Sequence, residues 1–525
     1  MAIDDILIVG GGTAGWLTAA YLAKQLGGAG GVRITLIESS EIGTVGVGEG
    51  TFPTIARTLA TLGADEAQFM RESSAAFKQG IRFVDWVHAP TAGRRRHYYH
   101  PFALPRQPED FELLPYWLSG EAGADVSLAD AVTLQEKVCD AGRAPKRAQD
   151  AAFRGPMSYA YHLDAARFGS YLGGLARALG VFHCVGTVER VELDEAGAIA
   201  GVVTREHGTL RAGLYVDCTG FRAELIGRAL EVPFIGKNEV LFVDRAVAVQ
   251  VPHESDTTAI APYTIATAQD AGWTWDIALP QRRGVGYVYS SNHTDGTRAE
   301  AVLRDYVGPR AHDLPVRHLE LKVGWRAQHW VKNCVAVGLS GGFLEPLEST
   351  GIILIEAAAY MIASFFARNG AFEPAAAQFN RLMTKRYERI VDFIKLHYFL
   401  TRRTDSAFWR DNALPSTAPE SLLAHLSMWR HRPPHRFDFT MDHETFALAN
   451  YQFVLYGMGF ETLLTGQGQY RDGTRARAEF ARVQQASQRA VAALPPHREL
   501  LQRVNQAGFS FVEQPVRPAQ PMLVR

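Results

Sequence analysis

Two carboxylates, two hydroxyls and a glycine lie together in Glu345-Pro346-Leu347-Glu348-Ser349-Thr350-Gly351-Ile352. They follow the apolar run Cys334-Val335-Ala336-Val337-Gly338, which reads as a buried strand because glycine bounds it. Gly338, Gly341 and Gly342 open a loop, and residues 351–367 carry the pattern of a helix. Ser349-Thr350-Gly351 therefore stands where a helix begins. The free backbone N–H groups of such a start attract an anion or the polar edge of a cofactor, or are simply capped by a hydroxyl.

A second chemistry-bearing stretch is Gly10-Gly11-Gly12-Thr13-Ala14-Gly15. It lies between a strand at 6–9 and a helix at 16–26, and a second strand at 32–38 ends in Glu38. That is the βαβ dinucleotide fingerprint in its structural context. Gly10 allows the tight turn, Gly12 lets the backbone approach a pyrophosphate, and Gly15 lets helix and strand pack closely. Glu38 falls at the distance of a ribose ligand, which favours FAD or NAD over NADP. The glycine-rich stretch 43–53, which includes Gly48 and Glu49, reads as a loop passing the cofactor or as a plain surface loop. The run 214–220 is a strand delivering Asp217-x-Thr219-Gly220 toward the first nucleotide-binding turn.

The remaining elements must position these groups. Residues 54–86 read as helical and then extended, and pattern alone makes Lys78 a solvated lysine near a helix end. Residues 90–150 are mixed and loop-rich, including Arg94-Arg95-Arg96, and the basic run 143–154 reads as solvated surface. Residues 159–179 have a helical pattern, 181–193 and 198–203 read as a strand and hairpin, and 239–291 alternate as strands do. Trp273 and Trp275, two apart on one of those strands, face the same way. From about 372 the chain is mostly helical and aromatic-rich, broken at 415–419 and at Pro433-Pro434. The expected fold class is α/β (α+β): an FAD-binding box of the flavin monooxygenase type with a mixed sheet and a mainly helical C-terminal part, packed as one body.

The chain has 525 residues, 47% hydrophobic and 21% charged, which is ordinary for a globular protein with a large core. A net charge of -1 gives no support to a nucleic-acid partner. Cys139, Cys184, Cys218 and Cys334 form no Cys-x-x-Cys pair, so neither a disulfide framework nor a metal site is expected, and a reducing cytoplasm fits. No signal peptide and no membrane span is read.

Taken together, these stretches make the chain resemble the flavin-dependent tryptophan halogenases along nearly its whole length. The resemblance rests on GGGTAGW (10–16), GVGEGTFP (46–53), FKQGIRFVDW (77–86), HPF (100–102) and DCTGFR (217–222). It continues through WTWDI (273–277), GFLEPLESTGI (342–352) and HYFLTRRTDSAFW (397–409). The family's proline after that isoleucine is Ala278 here. The resemblance implies a halogenase box over 1–90 and 155–371, an inserted loop-rich segment over 91–154 lining the substrate site, and a helical substrate-covering part over 372–525. It implies FAD, delivered as FADH2 by a separate NAD(P)H flavin reductase, together with O2 and a halide, chloride or bromide, and it leaves room for a homodimer. Hypohalous acid made at the flavin would cross an internal tunnel to Lys78, with Glu348 beside that lysine as the second catalytic group. Gly10, Gly12, Thr13, Ala14, Gly15, Glu38, Gly48, Glu49, Leu339 and Ile352 would hold the cofactor. Thr350 and Gly351 match the halide site, and Ser349, Trp273 and Trp275 the tunnel.

His100 and Phe102 match positions lining the family's indole pocket, with Tyr451 and Gln452 further along. Free-tryptophan enzymes of the family hold the amino acid's charged end with a tyrosine pair and a glutamate six residues beyond it. Here Gln452 replaces the second tyrosine and Met458 falls where the glutamate belongs. Loss of such a buried charged contact weakens binding by about 2–5 kcal/mol. The expectation is therefore free indole or an indole derivative, with free tryptophan as the alternative. The rival classes are a flavin monooxygenase hydroxylating an aromatic ring and a non-catalytic FAD-binding protein.

Overall fold

The structure is a computed structural model, which describes residues 3–41, 48–91, 96–108, 111–439, 444–464 and 470–510. The glycines Gly43 and Gly46 and the basic pair Arg94-Arg95 lie outside the described residues.

The N-terminal strand Asp5–Val9 is central in a six-stranded sheet. Leu214–Asp217 and Arg33–Glu38 flank it in parallel, and Cys334–Ala336 pairs in turn with Leu214–Asp217. Asp5–Val9, Leu214–Asp217 and Cys334–Ala336 are buried almost throughout, as strands covered on both faces are, whereas Arg33–Glu38 exposes Arg33 and only half-buries Thr35 and Glu38. The parallel order brings three strand ends to one edge: the turn at Gly10, the turn after Asp217 and the loop after Cys334–Ala336. Helix Thr13–Leu26 starts at that edge, and so does the turn Gly338–Ser340 that leads to helix Thr350–Phe365.

A seven-stranded sheet forms the second half, in the order Val316–Glu320, Arg245–Pro252, Arg282–Tyr289, Gly272–Ala278, Thr264–Gln269, Gly80–Val84 and His97–Pro101. Against it stands a small sheet in which Ala76–Lys78 and Glu49–Gly50 both pair with Ala160–Leu163. The helices Glu373–Phe399 and Leu448–Gly457 pack over the His97–Pro101 side. One continuous apolar core runs from Ile6 through Trp86 and Trp409 to Phe509, so the mixed sheets and the C-terminal helices form one body. Among the described residues no helix is long and apolar enough to cross a membrane.

Three local expectations are corrected. Lys78 is not a solvated residue near a helix end: it closes the strand Ala76–Lys78 and is fully buried. The run 143–154 is not simply solvated, because Lys146 is fully buried, donating to Glu66 Oε2 at 2.7 Å and to the Ala151 carbonyl at 2.9 Å. Glu66 also accepts from the Tyr159 and Tyr161 hydroxyls and from the backbone N–H of Phe153. A pattern counts Lys146 as surface because its counter-charge lies 80 residues away in sequence. The stretch 159–179 begins as the strand Ala160–Leu163, and only Ala165–Ala178 is helical. The pairing with Ala76–Lys78 decides the conformation of those four residues over their helix propensity.

Candidate functional site

The glycine turn fits a dinucleotide. Gly10 has φ +113°, and a Cβ there would run into the Cys218 carbonyl; a Cβ at Gly15 would strike the Gly10 carbonyl. A Cβ on Gly12 would meet nothing within 4 Å. The turn is thus tight where it must be and open where a pyrophosphate would lie. Thr13 and Ala14 begin the helix, whose first turn carries no acid and no side-chain cap, so its N–H groups stay available to an anion. Glu38 lies against Gly11, in reach of a ribose beside the turn, with His183 Nε2 at 2.9 Å. A Cβ at Gly338 would stand 2.7 Å from Ala14, so the loop of Leu339 lies close to the start of helix Thr13–Leu26. Gly48 has φ +87°, and Glu49 pairs with Leu163.

Helix Thr350–Phe365 packs beside helix Thr13–Leu26. Its N-cap is Ser349, at φ 58° and ψ 40°, a left-handed conformation that is uncommon for a residue with a side chain. Thr350 is buried, Gly351 is exposed with open space where a Cβ would be, and Ile352 is buried in the first turn. The Ser349 side chain points the opposite way, toward Lys78, whose Nζ donates to Ser349 Oγ at 2.8 Å and to the Thr51 carbonyl at 3.4 Å. Lys78 Nζ also lies 5.2 Å from the Phe102 ring centre. Gly50 forms the floor beneath it: a Cβ there would stand 2.7 Å from Ser349 Oγ and 3.1 Å from Lys78 Nζ. Burial pulls the Lys78 pKa down to about 7 against the opposing pull of Glu348.

Glu348 is bonded not to this lysine but to two histidines. His100 Nδ1 donates to it at 2.8 Å and His397 Nε2 at 2.9 Å, all three side chains being fully buried. Burial alone would raise the Glu348 carboxyl, but the hydrogen bonds and positive charge at the histidines outweigh it and lower it. The strand His97–Pro101 carries His100, the turn Pro346–Glu348 carries Glu348, and helix Glu373–Phe399 carries His397. Three distant segments therefore meet at one carboxylate.

Aromatic faces surround the amine. Phe52 lies 5.5 Å from Phe102 and 5.6 Å from Phe446, and Phe446 stacks on Phe393 at 3.9 Å. Tyr451 stands behind this group, against Phe393, Trp429 and Phe439, while the Gln452 amide reaches the Pro434 carbonyl at 3.4 Å. Met458 is buried, and nearby Glu461 is an exposed residue paired with Arg402. Trp273 and Trp275 are both buried with rings 6.4 Å apart. Trp273 Nε1 donates to Glu345 Oε1 at 3.2 Å, and so does the Tyr398 hydroxyl at 2.7 Å. Burial raises Glu345 to about 7 in spite of these bonds.

Sequence reasoning gave no role to His397, Asn450, Glu345, Phe52, Phe446 or Gly50. One signal was present: His397 sits within the apolar helical run Ile394-Lys395-Leu396-His397-Tyr398-Phe399, where a polar ring needs a buried partner.

The chain matches the family model described as tryptophan halogenase over residues 5–466. It is 36% identical over 525 aligned residues to tryptophan 6-halogenase SttH of Streptomyces toxytricini, covering 96% of this chain and 98% of that one. With tryptophan 7-halogenase RebH of Lentzea aerocolonigenes it shares 39% identity over 422 residues, 78% of this chain and 79% of that one. The crystal structure of a tryptophan halogenase from Shewanella frigidimarina superposes with a TM-score of 0.93 at 39% identity, covering 97% of this chain and 99% of that one.

Proposed function

Since this chain belongs to the tryptophan halogenase family, and is an enzyme on that ground, we propose that it replaces a ring hydrogen of tryptophan with a halogen. Its co-reactants would be FADH2 from a separate flavin reductase, O2 and a halide. The observation that carries this reading is a fully buried lysine amine, held by Ser349 at the start of a helix that opens on the nucleotide cleft, facing an aromatic box on its other side.

The reduced flavin, with O2, supplies the two-electron oxidation that turns halide into hypohalous acid. The glycine turn at 10–15 and Glu38 would hold the nucleotide end, and the start of helix Thr350–Phe365 offers N–H groups to a halide at low desolvation cost. Lys78, with its pKa lowered to about 7, is largely a neutral amine above that pH and can take up or hydrogen-bond hypohalous acid. Phe52, Phe102 and Phe446, grouped ring against ring near the amine, would offer apolar contact to a flat ring. Glu348, held as a carboxylate by His100 and His397, would take the proton that a ring carrying both hydrogen and halogen releases. Burial keeps the oxidant from side reactions with exposed sulfur and indole side chains.

Relatives named tryptophan 6-halogenase and tryptophan 7-halogenase support tryptophan as the substrate over the free indole expected from Gln452 and Met458. Free indole stays as a second reading because buried Met458 offers no counter-charge to an ammonium group. Tryptophan, indole and simple arenes, each incubated with FAD, a flavin reductase and either halide, separate the readings by mass spectrometry. Halogenated tryptophan is the expected product. Hydroxylated product that forms without halide would overturn the proposal in favour of a monooxygenase.

A further inference from the structure

The charges around the site do not pair in the simplest way. Among the described residues Lys78 bonds only neutral oxygens, Ser349 Oγ and the Thr51 carbonyl. The counter-charge of Glu348 must then come from elsewhere, and the two histidines differ in what they can supply. His100 Nδ1 donates to Glu348, but its Nε2 faces the Asn450 side-chain NH2 at 2.8 Å. The Asn450 amide is oriented by the Ala447 N–H, which donates to its Oδ1 at 2.8 Å. His100 Nε2 must therefore accept, and His100 is the neutral Nδ1–H form. His397 is placed otherwise. Its Nδ1 faces the Phe393 carbonyl at 2.9 Å, and its Nε2 faces Glu348 Oε1 at 2.9 Å. Both partners are acceptors, so both ring nitrogens carry protons.

We propose that His397 is a positioning residue for the reaction: a buried imidazolium that neutralises Glu348 and so leaves the Lys78 amine without a counter-ion. The other titratable groups facing these side chains are neutral. His162, which feels Lys78 from the strand Ala160–Leu163, is held well below its ordinary pKa by burial and then by Lys78. Tyr98, on the strand His97–Pro101, is held well above its ordinary value by burial and then by Glu348. Phe83, Trp86 and Phe393 complete the walls around His397. Within this enclosure Glu348, His397 and Lys78 are the groups that can hold charge. Removing the His397 charge leaves a bare carboxylate near Lys78, which draws a proton onto the amine.

The kinetic part rests on the halogenase reading; the ring state does not. The full-length chain labelled with 15N-histidine reports ring protonation directly. The signals missing from His397→Gln are expected to come from a ring with both nitrogens protonated at pH 7. Should that variant not fold, Glu348→Gln identifies the same ring, which is then expected to lose its Nε2 proton. A bare His397 nitrogen in the wild type at pH 7 would overturn the proposal. In turnover with tryptophan, reductase, O2 and halide, His397→Gln should move the rising limb of kcat against pH upward by about one unit, a tenfold change in amine fraction. KM for tryptophan should change less than threefold. An unmoved limb with only KM altered would also overturn it. A wild type that makes no halogenated product refutes the halogenase reading instead, and the ring measurement still decides the state of His397.

Discussion

The lysine at the centre of the site is expensive to bury. An ammonium group loses its hydration in the interior, and Lys78 meets this by shedding its proton. Its folded pKa of about 7 lies below the ordinary lysine value of 10.5. The penalty on folding is therefore complete below about pH 7 and fades as pH rises toward 10.5. Lys78→Met should abolish halogenation while flavin reoxidation continues. It should also raise the melting temperature by roughly 1–3 °C at pH 7, with a smaller gain at pH 10, as read by thermal scanning at the two pH values.

At the scale of elements, each turn that matters is made tight or open by a particular glycine. Gly12→Ala adds a methyl where nothing stands, on ordinary extended backbone at φ -74°. Unfolding should then change by less than about 0.5 kcal/mol, whereas FAD affinity falls about tenfold or more because the methyl occupies the phosphate's approach. Gly10→Ala, at φ +113° and against the Cys218 carbonyl, should destabilise the fold itself, and urea unfolding beside flavin titration separates the two effects. Glu66 anchors the 143–154 loop, and Glu66→Ala should cost about 3–5 kcal/mol in urea unfolding, because it leaves Lys146 charged or forces it neutral in the interior. The glycine fingerprint and the start of helix Thr350–Phe365 were legible because a local spacing carries their physics. Lys78, Lys146 and His397 were not, since each is decided by a partner from a distant segment: Ser349, Glu66 and Glu348. The strand Ala160–Leu163 was misread for the same reason, its edges being supplied by Ala76–Lys78 and Glu49–Gly50.

Across the whole molecule, the nucleotide half and the aromatic half meet at Ser349, whose backbone opens the helix on one side and whose hydroxyl holds the amine on the other. The two halves should therefore respond separately to damage. Phe446→Ala removes a wall of the aromatic box and should raise KM for the aromatic substrate several-fold, and as truncation of a buried aromatic side chain it should also cost about 3–5 kcal/mol of stability. FAD affinity should stay within twofold, measured by flavin fluorescence.

The amine at position 78 rests on a side chain that is not there. A single methyl at Gly50 would press first on Ser349 Oγ and the Lys78 nitrogen. On the halogenase reading, ring selectivity would depend both on the seat of the guest and on the aim of the halogen, and a change at position 50 is expected to act on the second. A laboratory lineage selected for a new ring position would reach it by one codon change, without rebuilding the cavity.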